Sequence, residues 1–215
     1  MTDAAIKAMI HLLDDSDQEV VSMVEQQIRT LGPSIIPVLE LEWETESLNP
    51  ILQSKIENLI HDFQWQSVKT RLQVWKESGG MDLLEGMWIL ATYRYPDYSF
   101  NDLKVEMDQL YYEVWPQMRE DLHPMDQVKV LNSVMFEQLK FGPNSKNFHA
   151  ANNSFINNVL SSKKGNPISL CVIYMWIAQK LGLPIYGVNL PNLFVLTYKQ
   201  KGLQFYINVF NKGLI

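Results

Sequence analysis

From Pro167 to Leu181 the chain is apolar on almost every side of a helical wheel. Ile168, Leu170, Cys171, Val172, Ile173, Met175, Trp176, Ile177 and Ala178 leave no polar stripe. A helix of this kind cannot lie on a surface, so it must be the buried centre of a domain. Its limits are written in the flanking residues. The turn Lys163-Lys164-Gly165-Asn166 delivers the chain to Pro167, whose missing N–H costs nothing in the first turn of a helix. Gly182 caps the far end, and Pro184 forbids continuation. Three strand-like runs follow: Ile185 to Leu190, Phe194 to Tyr198 and Gln204 to Phe210, with Gly202 in a hairpin between the last two. A central helix with antiparallel strands laid against it predicts an α+β fold.

The first 140 residues or so have a different texture and read as helix after helix. Ile6, Ile10 and Leu13 form one apolar stripe, and Asp14-Asp15-Ser16-Asp17 caps the next helix. Val20, Val24, Ile28 and Leu31 repeat at helical spacing until Gly32-Pro33 stops them. Pro33 opens a third helix with Ile35, Ile36, Val38 and Leu39, and Asn49-Pro50 a fourth with Ile51, Ile56, Leu59 and Ile60. This order of short helices resembles a HEAT-type repeat and a half, a unit that buries its faces by stacking. Further helices are expected over Trp65–Glu77, Met81–Tyr93, Asn101 to about Glu120, and Pro124–Leu139. In the third of these, Glu106, Asp108 and Glu113 form an exposed acidic face. Trp43, Trp65, Trp75, Trp88 and Trp115 sit among apolar neighbours at helical spacing, which predicts core packing rather than a binding platform.

Several function classes are disfavoured by composition. The net charge is −6, with Lys and Arg scattered, whereas nucleic-acid binders carry a basic face to neutralise phosphates. No apolar run approaches the roughly 18 residues that a membrane span needs. Met1-Thr2-Asp3-Ala4-Ala5-Ile6 has neither the basic head nor the apolar stretch of a leader. Cys171 is the single cysteine, so no internal disulfide forms and the thiol fits a reducing, cytoplasmic setting. No HExxH, CxxC, Walker loop or GxGxxG is present, and His11, His61 and His123 have no ligand spacing. Asp14, Asp15 and Asp17 lack the glycine and terminal glutamate of a calcium loop. No metal or cofactor is expected.

Three later motifs carry a resemblance: Asn153-Ser154-Phe155-Ile156-Asn157, Gly165-Asn166-Pro167-Ile168-Ser169-Leu170 and Leu181-Gly182-Leu183-Pro184. Together they resemble the transglutaminase-like superfamily, whose core is that of papain-type cysteine proteases. Within it they are similar to a bacterial branch often fused to tetratricopeptide repeats, with a related domain in an F-box protein. The resemblance implies a helical region over residues 1–100 and a transglutaminase-like core over 101–215. It also implies a truncated core, since the chain stops at Gly213-Leu214-Ile215 where relatives continue.

Active members of the superfamily hold a cysteine in the first turn of the central helix, where the helix N-terminus lowers the thiol pKa. A histidine on the next strands serves as base, and an aspartate after it orients the ring. Aligned on Gly165 and Gly182, the cysteine slot falls on Pro167. Relatives commonly read Pro-Gly-His-Phe where this chain has Pro191-Asn192-Leu193-Phe194, so Leu193 stands in the histidine slot. Their Asp-Pro-Phe-Asn corresponds to Asn208-Val209-Phe210-Asn211, which puts Asn208 in the aspartate slot.

A displaced pair would have to use Cys171, one turn further along the helix, with His149 from the preceding loop. Flanked by Leu170, Val172 and Ile173, Cys171 is expected to be buried and inert. Ser169 has no base placed to activate it, and its hydroxyl is expected to bond backbone near the helix start. The implied function is that of a pseudoenzyme, a binding module for an unknown protein or peptide. Its groove would be formed near Asn153, Gly165, Asn166, Ser169 and Asn192, and Lys163 and Lys164 would favour a carboxylate at the helix start. The competing expectation is a cysteine-dependent peptidase, amidase or acyltransferase using Cys171.

Overall fold

The computed structural model describes residues 3–44, 49–191 and 193–215, so the groove candidate Asn192 lies outside the described residues. The chain divides into two compact units, Met1–Val74 and Trp75–Ile215.

The first unit is helical. Helices α1 (Asp3–Leu12), α2 (Gln18–Leu31) and α3 (Ile36–Trp43) are followed by α4 (Pro50–Glu77), which runs on past the unit's boundary. Asp17 caps α2 by accepting a bond from Glu19 N at 2.9 Å. Gly32 ends it with φ of +73°, a left-handed value that glycine adopts without strain. Ile10, Leu13, Ile28, Leu39 and Ile56 are fully buried between these helices. Glu42 is buried too, its carboxylate held by Lys7 at 2.9 Å and by His11 at 3.6 Å. The separate helices expected from Pro50 and from Trp65 are one 28-residue helix. No glycine or proline interrupts residues 51–77, so nothing stops α4 once it has started.

The second unit combines helices with a small sheet, the expected α+β arrangement. It contains α5 (Leu83–Ala91), α6 (Phe100–Val114), α7 (Pro124–Asn132), α8 (Ile156–Ser162) and α9 (Pro167–Lys180). The helix expected over Pro124–Leu139 is α7 followed by a π-helical segment, Ser133–Gln138. Strands β1 (Gly142–Pro143) and β2 (Lys164–Gly165) form a short parallel pair. β3 (Ile185–Leu190), β4 (Leu193–Gln200) and β5 (Leu203–Ile207) form an antiparallel sheet in that order.

Helix α9 is the centre of this unit. Leu170, Cys171, Ile173, Tyr174, Ile177 and Ala178 are wholly buried, in contact with α5, α6 and the sheet. The sheet supplies Ile185, Leu196 and Ile207, and α6 supplies Leu103 and Met107. Tyr174 stacks on Phe136 and donates its hydroxyl to Asn132 Oδ1 at 2.9 Å.

Not all the tryptophans pack as expected. Trp43, Trp65 and Trp115 are 43%, 44% and 58% exposed, which corrects the expectation that each is a core residue. Apolar neighbours at helical spacing identify a stripe, but they do not say whether another element covers it. Trp75 and Trp88 are partly buried, and their indole N–H groups bond Asp82 O at 2.8 Å and Tyr98 O at 2.7 Å.

Candidate functional site

The start of α9 organises the site. Asn166 is the N-cap, and its Oδ1 accepts from Ser169 N at 2.9 Å. Ser169 Oγ in turn accepts from Asn166 N at 3.0 Å, which completes a reciprocal capping box. Asn166 Nδ2 reaches back to Ser154 Oγ at 3.0 Å and ties the helix start to the preceding loop. Gly165 is required here, since an added Cβ would lie 2.5 Å from Ser169 Oγ and 3.0 Å from Val159 Cγ1. Gly165 and Ser169 are both buried and belong to the turn itself.

The cap has a chemical consequence. The first four N–H groups of a helix are the ones that can receive an anion. At α9, Pro167 has no N–H, Ser169 N is bonded to the cap, and Leu170 N is bonded to Asn166 O at 3.1 Å. Ile168 N–H alone is left without a partner among the described residues of this first turn. Lys163 and Lys164 do not supplement it. The Lys163 ammonium sits 4.7 Å over the Phe141 ring, where burial pushes its pKa below the usual lysine value. Neither lysine lines the cleft beside the helix start.

That cleft has a volume of about 430 Å³. Pro167 and Ile168 of α9 form one wall, Leu190, Leu193 and Phe194 of the β3–β4 hairpin another, and Phe148 and His149 of the preceding loop a third. Asn166, Ser154 and Asn189 bring polar atoms to an otherwise apolar lining. Two of the three positions expected to fall in the catalytic slots, Pro167 and Leu193, therefore line one hollow. The third does not line it: Asn208 Oδ1 accepts from Asn211 N at 3.1 Å and caps a short 3₁₀ turn.

Asn153 does not line the cleft either, yet it builds one wall. It is 2% exposed and donates to Asn147 O at 2.8 Å and Phe148 O at 2.9 Å, while accepting from Asn144 Nδ2 at 2.8 Å. These bonds fold the 144–153 loop and place Phe148 and His149. The two rings pack edge to face with centroids 5.1 Å apart, and Phe148 also meets Phe210. In the sequence the Asn153-Ser154 motif and the candidate base His149 point to this wall, while the contacts that bring Phe148 to the cleft are long-range.

Cys171 is fully buried and lies outside the cleft lining. Its sulfur is 3.8 Å from Phe194 O, and burial pushes the thiol pKa up to about 12. At neutral pH the thiol is therefore protonated.

Comparison with known proteins gives the family. The profile of the transglutaminase-like superfamily matches residues 101–215, more than half of the chain. The chain belongs to the transglutaminase-like superfamily. It is 31% identical over 132 residues to a UPF0162 protein of Xylella fastidiosa, covering 58% of this chain and 46% of that protein. A UPF0162 protein of Vibrio cholerae is 24% identical over 136 residues, 63% of this chain and 50% of its own. F-box only protein 21 of Mus musculus is 35% identical over 91 residues, 39% of this chain and 14% of that protein. The chain thus spans at most half the length of these relatives. No solved structure matches it.

Among the described residues no helix is long and apolar enough to cross a membrane. Nor is any group of three His, Cys, Asp or Glu side chains placed there to hold a metal.

Proposed function

We propose that this protein is a non-catalytic member of the superfamily, a pseudoenzyme whose cleft binds a peptide or a small ligand without cleaving it. One observation carries the reading: Pro167 and Leu193 occupy the cleft where a thiol and an imidazole would have to meet. His149 also lines the cleft, but covalent catalysis needs a nucleophile activated by its base. Cys171 is wholly buried, and the Ser154 hydroxyl is bonded to Asn166 rather than to His149. The apolar lining, without a lysine, favours an apolar ligand group over the carboxylate expected from the helix start. The helical region ahead of the core serves as a scaffold surface for a protein partner. A single buried thiol and the acidic charge favour a cytoplasmic protein without nucleic-acid partners.

Iodoacetamide labelling of the native protein tests this reading. Complete protection of Cys171 until the protein is unfolded is the expected result. Labelling at the rate of a free thiol at neutral pH would overturn it and favour a peptidase, amidase or acyltransferase that uses Cys171.

A further inference from the structure

Strand β3 is an edge of the three-stranded sheet and pairs only with β4 among the described residues. The bond from Lys199 N to Pro184 O, at 3.0 Å, extends the β3–β4 register by one residue. Pro184 and Lys199 are therefore a hydrogen-bonded pair. Bonded positions alternate along an antiparallel ladder, so Tyr186, Val188 and Leu190 turn their backbone groups towards β4. Gly187 and Asn189 turn theirs outward. Both residues are exposed, and no described backbone or side-chain group bonds their N–H or C=O on that side.

Open edges are normally blunted by charges, prolines or bulges, because an unpaired edge templates another strand. Ile185-Tyr186-Gly187-Val188-Asn189-Leu190 has no charge and no proline, and its register with β4 runs without a bulge. Beside this edge runs a trough of about 820 Å³, lined by Met81, Leu83, Met175, Pro184 and Tyr186 among others. Met81 is 88% exposed. Asn189 and Phe194 line both this trough and the cleft at the start of α9, so the two hollows adjoin.

We propose that the outer edge of β3 receives an extended segment of a partner polypeptide as an added strand. The segment's main chain would bond Gly187 and Asn189 and seat an apolar side chain in the trough. The occupant follows from the unpaired groups. Two donors and two acceptors repeat at a two-residue spacing along one line, a pattern that an extended backbone complements. The trough then selects apolar residues at alternate positions of that backbone. This deepens the binding reading above, on which it rests, by naming the class of ligand and where its main chain lies.

The test uses the full chain, labelled with ¹⁵N and titrated to millimolar concentration with the blocked peptide acetyl-Thr-Val-Thr-Leu-Thr-amide. Two further peptides carry N-methyl groups on alternate amides, one on the threonines and one on the valine and leucine. The expected result is a shift of the Gly187 and Asn189 amide signals with slowed hydrogen exchange. One N-methylated peptide should bind roughly tenfold more weakly and the other about as well as the parent, because only one set of amides faces β3. Asn189→Pro should weaken the parent peptide by a similar factor, since proline removes an outward N–H and leaves the β4 ladder intact.

Equal binding by the two N-methylated peptides, or unmoved Gly187 and Asn189 signals, would overturn strand addition. Shifts confined to Ile168 and Leu193 would do the same and still leave the cleft as a binding site. Shifts at Gly187 that grow with protein concentration alone would assign the edge to a second copy of this chain and overturn the partner peptide. A reactive Cys171 would remove the pseudoenzyme reading without moving any of these signals.

Discussion

Asn166 and Ser169 close on each other across the first turn of α9, each accepting a hydrogen bond from the other's backbone N–H at 2.9 and 3.0 Å. Pro167 lies between them and has no N–H to offer. The end of the helix that could stabilise a thiolate or an oxyanion is thus satisfied from within. The same bonds that hold the turn also remove most of its capacity to receive an anion. Two features that look separate in the sequence, Pro167 and a serine two residues later, act at one place.

This capping box makes a prediction about stability. Ser169→Ala is expected to lower the unfolding free energy by about 1 kcal/mol, measured by urea denaturation. Gly165→Ala, whose new Cβ would meet Ser169 Oγ at 2.5 Å, should cost about 1–3 kcal/mol. In the Ser169→Ala background the same glycine substitution should cost less, by about 0.5 kcal/mol or more, because part of the overlap is gone. Strictly additive costs would show that Gly165 is needed for another reason.

Asn153 holds the wall that carries Phe148 and His149, and its three bonds are made in a buried position. Asn153→Ala should therefore cost about 1–3 kcal/mol, since it strands two backbone carbonyls and the Asn144 amide. The His149 ring-proton resonance should move towards its random-coil position as the loop loosens. A stable variant with an unmoved His149 signal would mean that the loop is held by its other contacts.

How much of this was legible in the sequence differs between elements for physical reasons. Helix α9 was readable because an all-apolar wheel admits one environment, and Asn166-Pro167 and Gly182 fix its ends by backbone chemistry. The β3–β4–β5 meander was readable from alternating runs and the turn at Gly202. The unbroken course of α4 was less visible, although no glycine or proline stands near Trp65 to divide the expected helices. Burial of individual tryptophans was harder still, because exposure is decided by which neighbouring element arrives. In the site, Pro167 and Leu193 were found by matching motifs. Phe148 and Asn189 have no signal in the sequence because they reach the cleft only through tertiary packing. Asn153 was singled out for the groove, yet its work is to fold the loop behind one wall.

Burial of Cys171 leads to a pH dependence. Its folded pKa, pushed up to about 12 by desolvation, lies above that of an unfolded thiol at about 8.5. The stability this group contributes is intact below about pH 8.5 and is lost as pH rises towards the folded value, because the unfolded chain releases the proton first. The unfolding free energy of the native sequence should fall relative to Cys171→Ala by up to about 1.4 kcal/mol per pH unit above about pH 9. Tyr174 is raised by burial and, to a lesser degree, by the charge of Cys171, so only its burial contribution is common to both proteins. A flat difference between pH 8 and 10.5 would show that the thiol is solvated.

The slot assignments themselves can be tested by putting the missing groups back. In Pro167→Cys the new thiol would stand at the first turn of α9 beside the cleft, in a partly exposed position that iodoacetamide can reach. It should label with iodoacetamide in the native state while Cys171 stays protected. Replacing proline at the first helical position should cost no more than about 1 kcal/mol, so the fold survives the substitution. Adding Leu193→His places an imidazole on the opposite wall of the same hollow. If the two slots face each other, the apparent pKa of the new thiol should fall by about one unit, read from the pH dependence of labelling. An unchanged pKa in the double variant would mean that the walls of the cleft stand too far apart for the pair to meet.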